Sequence, residues 1–162
     1  MLIFVRTSLL TGCFHGYSAL AMAEALPEEG SVVTVDKSTC AVAQANFEAH
    51  PHAGKKITLI KAMAADFLAD TTMGPWDFIY VDADKNNYHF YLALILQRNL
   101  LSATGVIVVD NCLWKGEVVQ RNAQMSKVGQ TLQSFNDWVS LHPSLEKVML
   151  PVRDGLYVLR RK

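Results

Sequence analysis

Apolar and polar positions along the chain fall into blocks of two kinds. Short β-branched runs such as SVVTV at 31–35 and VIVV at 106–109 have the length of strands buried on both faces. Between such runs lie longer stretches rich in small and apolar residues, among them YSALAMAEAL at 17–26, which predict helices. A weak apolar segment at 2–10 leads into a loop with two glycines, and the helix over 17–26 ends at Pro27 and Gly30. A strand at 31–35 follows, then a helix over 39–49 that Pro51 and Gly54 break, a strand at 57–60 and a helix over about 63–69. Gly74-Pro75 turns the chain into a strand at 78–81, and 88–101 reads as a long apolar helix. The strand at 106–109 precedes a more polar helix over 120–141, and strands at 145–150 and 156–160 close the chain as a hairpin turned at Asp154-Gly155. Alternating strands and helices predict an α/β fold with a parallel sheet of about seven strands. No linker, repeat or low-complexity stretch interrupts residues 1–162, so one domain is expected.

Composition narrows the class. With 51% hydrophobic and 19% charged residues the chain can build a core. Lys plus Arg and Asp plus Glu are equal at 15 each, and zero net charge argues against an electrostatic partner such as nucleic acid or an anionic membrane. Cys13, Cys40 and Cys112 lie far apart with no CxxC pair, which points to thiols in a reducing compartment and a cytoplasmic protein. No apolar run has the length of a membrane span. Leu10-Thr11-Gly12-Cys13 looks like a lipoprotein processing site, but Arg6 leaves four residues before Thr11, too few for a signal segment.

Open parallel sheets bind ligands at the carboxyl ends of their strands. The residues there are Gly12–Ser18, Asp36, Ala62–Ala64, Asp82–Lys85 and Asp110–Asn111. Asp36 ends VVTVD twenty residues after Gly16, the spacing at which an acid accepts the hydroxyls of a ribose; the alternative is an exposed turn residue. In DFIYVDADKNNY, Asp82, Asp84 and Lys85 crowd the end of a buried strand, as a cation site or an ion-pair network. GVIVVDN repeats the design with Asp110 and Asn111. Asp82, Asp110 and Asn111 make three hard oxygen ligands, a set that suits Mg²⁺ or another divalent cation; each acid alone could instead cap a helix. Lys85 beside the acids could assist a proton transfer. His50 and His52 read as loop residues, and His89 and His142 as ordinary helix residues, while His15 lies inside the glycine loop. Trp76 and Trp114 are candidate aromatic walls for a flat ligand, with packing in the core or at the rim as the alternative.

Taken in order, GYSALAMAEALPEEGSVVTVD, PWDFIYVDADKNNY, GVIVVDNCLWKGEV and the final DGLYVLRRK resemble the cation-dependent O-methyltransferases of the catechol and caffeoyl-CoA type. The resemblance runs from about Gly12 to Arg161. It implies a three-layer Rossmann-like methyltransferase sheet, mostly parallel with an antiparallel last strand. It implies S-adenosylmethionine as cofactor, with Gly12, Gly16, Tyr17 and Ser18 around its methionine part, Asp36 on its ribose, Ala64 beside its adenine and Asp84 nearby. Asp82, Asp110 and Asn111 match the metal ligands, Lys85 and Asp82 the catalytic pair, and Trp114 a residue beside a catechol-like small-molecule acceptor.

The match has departures. Family loops read roughly Glu-Ile-Gly-Thr-Phe-Thr-Gly-Tyr-Ser, whereas Leu10, Thr11, Cys13 and His15 stand at the acid, the apolar residue and the two threonines here, and Ala62 stands at a glycine. Only eleven residues precede Gly12, where the family carries a longer covering segment. A shortened homologue that does not methylate, and instead binds a ligand or partner or catalyses a different reaction in the same pocket, is therefore the alternative. Apolar surface left by a short N-terminus would favour a homodimer.

Overall fold

The computed structural model describes residues 5–38, 40–120 and 125–162. Seven strands form one sheet in the order β3-β2-β1-β4-β5-β7-β6. They are β1 Thr7–Thr11, β2 Ser31–Asp36, β3 Ile57–Lys61, β4 Trp76–Val81, β5 Leu101–Val109, β6 Leu145–Leu150 and β7 Leu156–Arg161. Strands β1 to β5 pair in parallel, while β7 runs antiparallel to both β5 and β6, as expected for the last strand.

Strand alternation sorts the apolar residues to two faces. Leu9, Val33, Val35, Ile79, Val81, Ile107 and Val109 turn toward α4 (Ala64–Asp70), α5 (Tyr88–Gln97) and α6 (Lys127–Leu141), where they meet Leu68, Leu92 and Phe135. Leu10 and Val32 turn the other way, toward α1 (Tyr17–Ala25), α2 (Cys40–Ala49) and α3 (Pro51–Gly54), against Ala19, Ala43 and Phe47. Three layers result. Leu9, Ile79 and Ile107 are fully buried, and burying one such side chain is worth about 1.5–3 kcal/mol. On the second face the far strands keep apolar surface: Val148 and Leu150 of β6 are 56% and 38% exposed.

Several element boundaries differ from expectation: β4 begins at Trp76 rather than 78 and β5 at Leu101 rather than 106. The helix read over 88–101 ends at Gln97, because Asn99 takes φ 55 and Leu101 already pairs with Trp76 as the first residue of β5. The helix read over 120–141 begins at Lys127, where the Ser126 hydroxyl accepts from Gly129 N; Glu117–Val119 is a separate 3₁₀ turn. Residues 51–54 form a one-turn helix that holds His52, and His142 caps the C-terminus of α6. The expected elements also touch residues 2–4, 39 and 121–124, which lie outside the described residues.

Candidate functional site

Register sets the site. Val35, Thr11, Val81 and Val109 stand side by side across β2, β1, β4 and β5. The next residue of each strand is therefore Asp36, Gly12, Asp82 and Asp110, in one row at the carboxyl edge. Backbone bonds carry the row past the sheet: Gly12 N donates to Val35 O (2.9 Å), Asp82 N to Thr11 O (3.0 Å) and Asp110 N to Val81 O (3.0 Å). With strands about 4.8 Å apart, neighbouring members of the row fall within reach of one ligand.

Gly12 has φ +95, and a Cβ there would lie 2.5 Å from Asp82 O. Only glycine lets the loop after β1 close so tightly on β4. The loop is pinned by Asp36, whose Oδ2 accepts from Cys13 N (2.8 Å) and Phe14 N (2.9 Å) and whose Oδ1 accepts from Ser38 N (2.8 Å) and Ser38 Oγ (3.3 Å). Burial raises the Asp36 carboxyl, but these N–H donors outweigh it and hold the group below its ordinary value. Leu10, at the loop position where an acid was expected by resemblance, is core: it is 1% exposed and packs with the α1 and α2 residues.

Gly12, Tyr17, Ser18, Asp36, Ala64, Asp82, Asp84 and Lys85 line a single cavity of about 780 Å³. Gly16 stands behind the loop and caps α1 in the left-handed conformation. Asp110, Asn111 and Trp114 are not on this wall. Met63, inside the strand-end stretch Ala62–Ala64, also lines the cavity, whereas Lys37 and Tyr91 are lining residues that sequence reasoning missed. A larger cavity, about 900 Å³, lies between α1 and strands β1 and β4, shares Tyr17 and Ser18, and contains none of Asp36, Asp82, Asp84 or Asp110.

The two acids after β4 and β5 have different partners. Asp82 Oδ1 accepts from Lys85 Nζ at 2.7 Å. Burial pushes the Asp82 carboxyl above its ordinary value; Lys85 opposes this and the Asp110 charge adds to it. Asp110 Oδ2 accepts from Tyr80 OH at 2.7 Å and Oδ1 from Asn111 N at 2.6 Å, with Asn111 at φ 59. Tyr88 is 1% exposed, and its hydroxyl has no hydrogen-bond partner among the described residues. Burial raises the Tyr88 phenol, and Asp82, Cys112 and Asp110 push it further, so the orphan lies in the field of the acid pair. Lys85 Nζ sits 5.7 Å from the centre of the Tyr88 ring. Cys112 is fully buried and burial pushes its thiol up to about 12, which leaves it protonated. Among the described residues no three His, Cys, Asp or Glu side chains are grouped to hold a metal ion. Asp82, Asp110 and Asn111 are two acids and an amide, a smaller set of charged ligands.

Asp84 turns out to cap the 3₁₀ turn Lys85–Asn87, accepting from Asn86 N, Asn86 Nδ2 and Asn87 Nδ2. Trp76 is corrected as an aromatic wall: it is 3% exposed, in the core, and begins β4 at the end remote from the row. Trp114 is part-buried at φ 45 and its Nε1 donates to Ser126 Oγ at 3.2 Å, which ties the loop after β5 to the start of α6.

Residues 2–162 match the O-methyltransferase family. The chain belongs to that family. Its enzymes transfer a methyl group to oxygen. Caffeoyl-CoA O-methyltransferase 1 of Arabidopsis thaliana is 34% identical over 179 residues, covering 99% of this chain and 65% of that relative. O-methyltransferase ankF of Aspergillus thermomutatus is 33% identical over 171 residues, covering 97% of this chain and 71% of the relative. Among solved structures, the SAH-bound Podospora anserina methyltransferase PaMTH1 superposes with a TM-score of 0.88 at 30% identity, covering 97% of this chain and 72% of that one. The SAH complex of the Bacillus cereus O-methyltransferase superposes with a TM-score of 0.84 at 27% identity, covering 98% and 74%. The seven-strand order with β7 antiparallel is the expected methyltransferase sheet. No described helix is long and apolar enough to cross a membrane.

Proposed function

We propose that this chain binds S-adenosylmethionine in the 780 Å³ cavity and passes its methyl group to a hydroxyl of a small acceptor held at Asp82, Asp110 and Asn111 through a divalent cation. The observation that carries the reading is the row of Gly12, Asp36, Asp82 and Asp110 at one sheet edge, with Lys85 at 2.7 Å from Asp82. The cavity volume lies in the range of cofactor clefts. Two adjacent acids, one with its proton affinity raised by burial, together with an orphan phenol beside them, fit a cation and its water. Mg²⁺ is the hard cation that such oxygen donors favour, and an acceptor with two neighbouring oxygens, as in a catechol, would fill its open positions.

Each residue then has a task. The N–H groups of Gly12, Cys13, Phe14 and Gly16 hold the loop itself together, so Tyr17 and Ser18 at the entry of α1, which line the cavity, are the residues that face the amino-acid end of the cofactor. Asp36 takes a ribose hydroxyl in the place of the Ser38 hydroxyl, which donates at 3.3 Å. Ala64 and Met63 flank the base, and Asp84 lies on the same wall. A bound cation supplies a positive charge that favours the ionised acceptor oxygen. Lys85 Nζ, which now donates to Asp82, would act as the base only in its neutral form, after giving one proton to solvent; the amine then takes the proton of the acceptor hydroxyl. The rest of the rate comes from holding oxygen and methyl in line. Trp114 beside the loop after β5 borders the acceptor. The apolar strip at Val148 and Leu150 supports a homodimer, which light scattering tests.

Calorimetry with S-adenosylmethionine, with and without Mg²⁺, and a methylation assay on a catechol test the reading. Cofactor binding, transfer that needs the cation and its loss in Asp110→Ala are the expected results. Absence of cofactor binding sinks the methyltransferase reading and leaves the ligand-binding homologue; full activity of Asp110→Ala sinks the cation assignment.

A further inference from the structure

Tyr80 is the residue before the last of β4, on the opposite face from Ile79 and Val81. Its ring packs against the cluster under α1 and walls the larger cavity. Its hydroxyl nevertheless reaches the strand-end acid of β5 and donates to Asp110 Oδ2 at 2.7 Å. The second oxygen is held independently by Asn111 N at 2.6 Å. With one donor on each oxygen the carboxylate has a single orientation, and each oxygen keeps a lone pair for another ligand. Among the described residues no other side chain donates to Asp110.

We propose that Tyr80 is a positioning residue of the cation site, whose hydroxyl sets the plane of the Asp110 carboxylate for the cation. The inference rests on the cation site proposed above. It assigns a task to a side chain whose backbone the sheet would hold equally well as phenylalanine, so Tyr80→Phe removes one hydrogen bond and leaves the ring in place.

The probe is Mn²⁺ alone, followed by electron paramagnetic resonance on wild type, Tyr80→Phe and Asp110→Ala, with Mg²⁺ as competitor. Outer-shell bonds to carboxylate ligands are worth about 10–100-fold in metal affinity. Tyr80→Phe is expected to weaken Mn²⁺ by about tenfold, with the melting temperature and the affinity for S-adenosylhomocysteine unchanged. A purely structural role would move those two instead. An unchanged or tighter Mn²⁺ affinity in Tyr80→Phe, beside lost binding in Asp110→Ala, overturns the role of Tyr80 and leaves the cation site standing. No Mn²⁺ binding by wild type overturns the site and Tyr80 together. Should Tyr80→Phe fail to fold, wild type carrying ¹³Cζ-tyrosine decides: the Tyr80 signal shifts on Mg²⁺ addition, and an unmoved signal overturns the proposal.

Discussion

Replacing Gly12 by alanine probes the close approach on which the row of strand ends depends. Gly12 has φ +95, a region that costs a side chain about 1–3 kcal/mol. The added Cβ would stand 2.5 Å from Asp82 O, 3.0 Å from Asp82 C and 3.3 Å from Ala83 N. These are backbone atoms tied to β1 through Asp82 N and Thr11 O, so none can swing aside as a side chain does. Overpacking against such atoms costs about 1–3 kcal/mol more. Taking about 2 kcal/mol for each contribution gives a loss of about 4 kcal/mol. In a chain of this size that lowers the melting temperature by about 8–16 °C. Gly116→Ala is the control, because Gly116 has φ +80 but its nearest neighbour, Gln120 Nε2, is 3.8 Å from the new Cβ. It should lose only the backbone part, about 2 kcal/mol. Paired thermal and urea melts measure the difference. If Gly12→Ala is no more destabilising than Gly116→Ala, the contact with Asp82 is not what makes glycine necessary.

Lys56 is 7% exposed and its Nζ donates to Ala23 O and Leu26 O at the end of α1. Lys56→Met strands two buried carbonyls and should cost about 2–4 kcal/mol in urea unfolding; a loss below about 1 kcal/mol would show that water reaches them. Asp36→Asn replaces an acceptor-only group with one that presents NH₂ to the loop N–H donors, so affinity for S-adenosylhomocysteine should fall about tenfold or more by calorimetry; an unchanged affinity removes Asp36 from the cofactor site. Burial raises the Asp77 carboxyl, but Arg6 N, Thr7 N and the Ser102 and Thr7 hydroxyls together hold it below its ordinary value of 3.8. The stability it contributes is therefore complete above pH 3.8 and disappears as pH falls toward the lower folded value. Acid unfolding of Asp77→Asn should lack that part of the slope, and an unaltered slope would place the acid sensitivity elsewhere.

Much of this architecture is legible in the pattern of residues. SVVTV and VIVV are too short and too β-branched for helices, and each proves to be a central strand. A carboxylate directly after a buried run marks a strand end, because a charge cannot continue into the core; Asp36, Asp82 and Asp110 announce the site in this way. Helix ends are less legible. Asn99 closes α5 because the chain must turn back to pair Leu101 with Trp76, a contact 25 residues away that no local propensity contains. Trp76 and Trp114 look alike in sequence; the first starts β4 inside the core and the second lies in the loop after β5, where Ser126 takes its N–H.

Chain order and residue type thus decide which groups are available: glycine loop, strand-end acids, lysine three residues past Asp82. Hydrophobic periodicity acts over a few residues, so it also decides which segments become strands and helices. Which acids become neighbours is a matter of sheet order and register. Asp36 and Asp82 are separated by β1, although β1 precedes both in the chain. Thr11, Val35, Val81 and Val109 align only once the apolar faces of four strands are buried together, since a slip of one residue would turn each strand's core side to water. The bond from Tyr80 to Asp110 and the orphaned Tyr88 hydroxyl exist only after that alignment, which is why nothing in the order of residues announces them.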